Sequence, residues 1–167
     1  MGSITNWIIK LQKSKFARRF QYEPYIIKSV EYVDPKRGEK VFVIYREIDY
    51  FKSLAIQMMD ESDYYSWDVE REFPSFKDLY FDKIVFFVSC YYTSKEMIKK
   101  VSSFKKDNGF IYCICFLPGS KFFETTLRLT DKKAFSMLGK EIDLFSDFEI
   151  IDTKEFKYTH IKAVKLK

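Results

Sequence analysis

The apolar positions of this chain change period along its length, and those changes mark out its elements. Two runs are apolar at almost every position, Ile84–Cys90 (IVFFVSC) and Phe110–Leu117 (FIYCICFL). Continuous runs rich in β-branched and aromatic residues predict strands buried on both faces, as in a parallel sheet covered by helices. Between them Met97, Ile98, Val101 and Phe104 recur at helical spacing and form one apolar stripe. Thr93-Ser94-Lys95-Glu96 reads as a capping box that opens this helix, and Asn108-Gly109 as the left-handed stop that ends it. Phe81–Pro118 is therefore predicted as strand, helix, strand, and the remaining elements are placed around it.

Upstream, Ile4–Phe20 carries two adjacent apolar stripes and reads as a helix. Residues 1–22 are then an N-terminal basic amphipathic helix ahead of an α/β body, 23–167, in one domain. Tyr25–Val33 and Lys40–Arg46 read as strands joined by Asp34-Pro35-Lys36-Arg37-Gly38-Glu39, which is turn chemistry. Tyr50–Met59 has helical spacing, Asp60–Ser66 reads as polar loop, and Tyr64–Val69 as a short strand. Downstream, Phe122–Leu129 reads as a strand, and Thr130 as the N-cap of a helix running to Gly139. Asp147–Thr153 and Phe156–Leu166 read as a closing antiparallel hairpin around Lys154-Glu155.

Composition adds an aromatic bias to this picture: 18 Phe and 12 Tyr against only 5 Gly, which belongs to a globular chain with a large core. The excess of Lys over Arg points to an AT-rich source, viral or bacterial. Net charge is +5 and unevenly spread. Lys10, Lys13, Lys15, Arg18 and Arg19 form a basic stretch interleaved with Phe16 and Phe20, a composition suited to a phosphate backbone or to a partner's surface. Asp60–Asp82 is acidic in turn. No apolar run reaches the ~20 residues of a membrane span, and no signal peptide is present, so the expected location is cytoplasmic, or inside a host cell if the source is viral. Met1-Gly2-Ser3 reads as a cloning remnant.

Candidate chemistry is sparse. Cys90, Cys113 and Cys115 fall in the most apolar stretches and read as small buried hydrophobes rather than zinc ligands. His160 is the one histidine and has no evident acid partner, so it reads as structural. Asp147, Glu149, Asp152 and Lys154 have the composition of a nuclease carboxylate–lysine cluster without an upstream acid to complete it. There is no P-loop, HExxH or paired CxxC, and no metal site is expected.

With these elements in place, the chain resembles the class I S-adenosylmethionine-dependent methyltransferases from Phe42 to its C-terminus. VFVIYREIDYFKSLAIQMM is similar to that family's second strand and following helix, YYSWDVEREFPSFKDLYFDKIVFFVS to its third strand and the run into the fourth. TSKEMIKKVSSFKKDNGFIYCICF is similar to the helix, turn and fifth strand, and DFEIIDTKEFKYTHIKAVKLK to the terminal antiparallel hairpin. The resemblance implies an α/β Rossmann-like mixed sheet with helices on both faces, an antiparallel C-terminal hairpin and a peripheral N-terminal helix. It also implies Glu47 as the acid beside a cofactor ribose, Asp68 as the acid beside its adenine, and Tyr91 and Tyr92 at the ligand or partner edge of the sheet. The family's Gly-rich loop after the first strand has no counterpart, since no glycine lies between Gly2 and Gly38. The expectation is therefore a non-catalytic, methyltransferase-like accessory or binding subunit with no cofactor. Its partner would be a protein, in a nucleic-acid-processing complex. The alternatives are an active small S-adenosylmethionine-dependent methyltransferase with a rebuilt pocket, and a basic nucleic-acid-binding module.

Overall fold

The computed structural model describes residues 23–46 and 62–167. Helix α1 (Glu23–Val33) leads into strand β1 (Lys40–Tyr45), and β2 (Asp63–Asp68) and β3 (Phe81–Phe87) follow. A short 3-10 turn (Cys90–Tyr92) and helix α2 (Lys95–Ser102) connect β3 to the long β4 (Lys105–Phe116). Helices α3 (Lys121–Thr130) and α4 (Lys132–Met137) and a second 3-10 turn (Glu141–Phe145) precede the last two strands, β5 (Ile150–Phe156) and β6 (Ile161–Leu166).

These strands form one six-stranded sheet in the order β2-β1-β3-β4-β6-β5. The pairs from β2 to β4 are parallel, and β6 runs antiparallel to both β4 and β5. The expected mixed sheet and C-terminal hairpin are thus present. Alternate residues of the central strands feed two cores. Phe42, Ile44, Phe81, Ile84, Phe86, Ile111 and Cys113 face α2, α3 and α4. Val41, Val43, Val85, Phe87, Tyr112 and Ile114 face α1 on the other side. Period-two alternation with both sets apolar explains why these strands read as unbroken apolar runs.

Tyr25–Val33 is a helix and not the predicted strand. Tyr25, Ile26, Ser29, Val30 and Val33 are the residues it buries, a helical spacing. Pro24 sits in the first turn, where its missing N–H is no loss. The Ser29 hydroxyl donates to the Tyr25 carbonyl at 2.7 Å, and Asp34 ends the helix at φ 49°, its N–H donating to the Val30 carbonyl. The β-branched and aromatic content that favoured a strand is here the apolar face of a helix laid on the sheet.

Phe122–Leu129 is likewise helical. Ser120 caps α3 by accepting from the Phe123 N–H, and the Leu127 side chain is buried. Asp131, rather than Thr130, caps α4, accepting from the Ala134 N–H at 3.0 Å. Helix α2 also starts one residue later than expected. Ser94 is its cap and accepts from the Met97 N–H, while the Thr93 hydroxyl donates to the Ser89 carbonyl. Its stop is Ser103, six residues before Gly109, so Asn108-Gly109 is no helix terminator.

Those two residues lie inside β4. Phe81 pairs with Lys105 and Lys83 pairs with Phe110, so β4 carries extra residues across a bulge. Gly109 sits at its end with the backbone of β3 close against it. The terminal turn is at Lys157–Thr159, with left-handed His160 after it, and not at Lys154-Glu155. The predicted helices Ile4–Phe20 and Tyr50–Met59 lie outside the described residues. Among the described residues, no helix is long and apolar enough to cross a membrane.

Candidate functional site

Chain order puts a reversal at the middle of the sheet. From β1 the chain steps outward to β2, returns across β1 to β3, and continues to β4. Ligands of open parallel sheets sit outside the carboxyl ends of the strands at such a switch point. Here that point lies between the end of β1, Tyr45-Arg46, and the end of β3, Phe87-Val88-Ser89. The position of β1 corrects the strand matching above. It stands against β3, in the first-strand place, so the first strand is present and the Lys40–Tyr45 run is not the second. Among the described residues, the strand without a counterpart is the third.

Arg46 occupies the mouth of this crevice. Its Nε donates to Glu70 Oε1 at 2.5 Å and its Nη1 to Asp131 Oδ2 at 3.2 Å. Its guanidinium carbon lies 4.1 Å above the Tyr92 ring, and Lys133 Nζ lies 5.6 Å from the same ring. The Tyr92 hydroxyl donates to the Asp131 oxygen that Arg46 also holds. One cation therefore joins the end of β1, the turn after β2, the 3-10 turn after β3 and the start of α4. Arg46 and Glu70 are 39% and 41% exposed, so each ion pair contributes about 1 kcal/mol or less, and the network is not a major source of stability.

The β3 side of the crevice is held from beneath. Buried Ser89 donates its hydroxyl to the Ile44 carbonyl at 2.8 Å, tying the ends of β1 and β3 together. Val88 has φ 52°, an unfavourable region for a β-branched side chain, and is held there by its N–H bond to the Ile114 carbonyl at 2.8 Å. Such strain, of order 1–3 kcal/mol, gathers where a fold must aim groups at a site.

Asp68 ends β2 opposite Tyr45 and is buried, 6% exposed. Its Oδ1 accepts the Glu70 N–H at 3.0 Å, and Oδ2 lies 3.7 Å from Arg71 Nε. Tyr92 belongs to the Arg46 network, at the predicted ligand edge. Tyr91 does not reach that edge. It is buried, stacks on Phe116 at 5.6 Å, and its hydroxyl accepts the Phe116 N–H at 2.7 Å. Burial pushes its phenol pKa up, so it stays protonated. Replacing Tyr91 with Phe leaves the Phe116 N–H without its acceptor. A loss of about 1–3 kcal/mol is expected in urea unfolding, with the slope unchanged.

Glu47 and the basic residues Lys10, Lys13, Lys15, Arg18 and Arg19 lie outside the described residues. The three cysteines are free and buried. Burial pushes the Cys90 thiol up, and hydrogen bonds with Cys115 and Cys90 push Cys113 well up, so neither is a ready nucleophile. His160 stacks on Phe123 at 5.6 Å. Asp147 pairs with Lys95 and Lys99, Asp152 accepts from the Tyr32 hydroxyl, and Lys154 lies over the Phe156 ring, so they form no common cluster. Among the described residues no group of acids, histidines and cysteines is arranged to hold a metal ion.

Arg46, Glu70 and Asp131 were not singled out from sequence. The one available signal was Arg46 at a strand's carboxyl end. Its partners lie 24 and 85 residues away, and no local pattern links them.

No family model matches the sequence, and no curated protein matches it. Solved structures do match. A methyltransferase from Thermotoga maritima aligns with TM-score 0.58 at 12% identity over 98% of this chain and 97% of that one. One from Aquifex aeolicus aligns with TM-score 0.57 at 12% identity over 97% of each. An N-methyltransferase from Bradyrhizobium japonicum, solved with S-adenosyl-L-homocysteine, aligns with TM-score 0.54 at 8% identity over 97% and 96%. The fold is that of the class I S-adenosylmethionine-dependent methyltransferases. The chain covers 53% of the mitomycin 7-O-methyltransferase MmcR and 54% of the pyocyanin biosynthetic protein PhzM, about half the length of these larger proteins, which align with TM-scores of 0.52 and 0.56. Within the methyltransferase fold, Arg46 follows the first strand and Asp68 ends the second.

Proposed function

We propose that this chain is a methyltransferase-like binding subunit, which keeps the sheet of the methyltransferase fold and engages a protein partner without transferring a methyl group. The observation that carries this reading is Arg46 at the switch point, paired with Glu70 and Asp131 and stacked on Tyr92. S-adenosylmethionine in this fold needs a close backbone approach after the first strand, which glycines supply. Residues 46–61 contain no glycine. The cofactor also carries a sulfonium cation. Here a guanidinium already stands at the switch point, and the carboxylates of Glu70 and Asp131 are paired with it. These residues do not fit the cofactor.

Isothermal titration of the full chain with S-adenosyl-L-homocysteine tests the proposal. No saturable heat is expected up to about 1 mM ligand. A dissociation constant in the micromolar range overturns it.

One observation favours a second reading, an active small methyltransferase with a rebuilt pocket. Asp68 ends the second-place strand, where dinucleotide-binding folds put the acid that holds a ribose. This moves the ribose role from Glu47 to Asp68. If the titration shows binding, that reading requires Asp68→Ala to abolish it without lowering the melting temperature.

A further inference from the structure

Among the described residues, the far edge of the sheet is open. Strand β5 is the last of the six, and Ile150–Glu155 are all exposed. Ile150 and Ile151 are 52% and 43% exposed. The other edge, β2, is buried or half-buried except at Asp63. An exposed edge strand offers a row of unpaired backbone donors and acceptors, and with apolar side chains at one end it is a template for another strand.

The order of charges in β5 selects the partner. We propose that β5 is the contact strand of a symmetric homodimer, pairing antiparallel with β5 of a second copy about Thr153. A two-fold axis normal to the sheet keeps each side chain on its own face, so the register must be centred on a residue. The ladder is irregular at Ile151, so the register is set by the exposed residues past it: centring on Asp152 puts Asp opposite Asp, centring on Lys154 puts Lys opposite Lys, and centring on Glu155 puts Glu opposite Glu. Centring on Thr153 puts Asp152 opposite Lys154 twice, by symmetry, and Thr153 opposite itself. Opposite charges and paired threonines are favourable cross-strand neighbours, and like charges directly opposite are not.

Both charged side chains are available for this pairing. Asp152 Oδ2 accepts from the Tyr32 hydroxyl at 2.9 Å, which fixes the carboxylate at the strand and leaves Oδ1. Lys154 Nζ rests 5.4 Å from the ring of its neighbour Phe156. The product is one continuous sheet through both copies, with α1 of each on the same face.

Sedimentation velocity of the full chain over about 1–100 µM tests this, with dimer expected within that range. Lys154→Asp places acids opposite Asp152 in both halves of the interface and is expected to weaken the dimer at least about tenfold. Exposed Lys154 makes no ion pair among the described residues, so the variant's melting temperature at low concentration should match the parent's. The double swap Asp152→Lys with Lys154→Asp restores the opposite-charge pairs and is expected to restore the dimer. A chain that stays monomeric throughout overturns the proposal. So does a dimer indifferent to Lys154→Asp, or a double swap that fails to re-form it.

Discussion

Phe81→Ala is expected to destabilise the protein by about 3–5 kcal/mol, the range for deleting a buried aromatic ring. Phe81 opens β3 and is fully buried. Its ring stacks on Phe42 at 4.9 Å and meets Tyr65 and Phe76 edge-on, each at 5.3 Å. Phe76 in turn packs on Phe42, Phe73 and Phe104, so the cavity would open at the centre of an aromatic cluster. Rings held by several others relax poorly into a void, which puts this site toward the upper end of the range. A domain has about 5–15 kcal/mol in all, so the variant should show a large fall in the urea midpoint. Phe81→Leu, which keeps most of the volume, should cost clearly less; equal losses for the two would mean that ring packing is not what holds β3 in place.

Gly109→Val should be the next most damaging change, for the opposite physical reason. A Cβ built there lies 2.9 Å from the Asp82 carbonyl oxygen and 3.0 Å from that of Phe81. Both are backbone atoms of the neighbouring strand and cannot swing aside. Relief requires β3 and β4 to separate at the bulge, next to the point where Asp82 accepts from the Lys40 N–H and pairs with Lys106. Overpacking of this kind costs about 1–3 kcal/mol, and the branched side chain belongs at the top of that range. Gly109→Ala should fall between the parent and the valine variant. Parental stability for both would show that the strands can part freely there.

The same glycine shows how sequence and structure divided the work. Asn-Gly after a helical stripe is ordinary stop chemistry, and local reasoning had no means of preferring anything else. What decides the matter is a strand 27 residues away that leaves no room for a side chain. Tyr25–Val33 and Phe122–Leu129 repeat the lesson. Their aromatic and β-branched residues suit a strand, but in the first burial at helical spacing against the sheet overrides that weak local preference, and the second is set by the Ser120 cap and buried Leu127.

The sequence by itself determined the central sheet. Runs apolar on both faces can be satisfied only between two layers, which is why β3 and β4 were legible, and with them the methyltransferase resemblance. Tertiary structure alone decided which strand stands first and what lies at the switch point. Strand order depends on which edges pair, and many strands of similar composition can pair equally well on local grounds. The meeting of Arg46, Glu70, Tyr92 and Asp131 depends on that order, since crossovers bring together residues that share no period or motif.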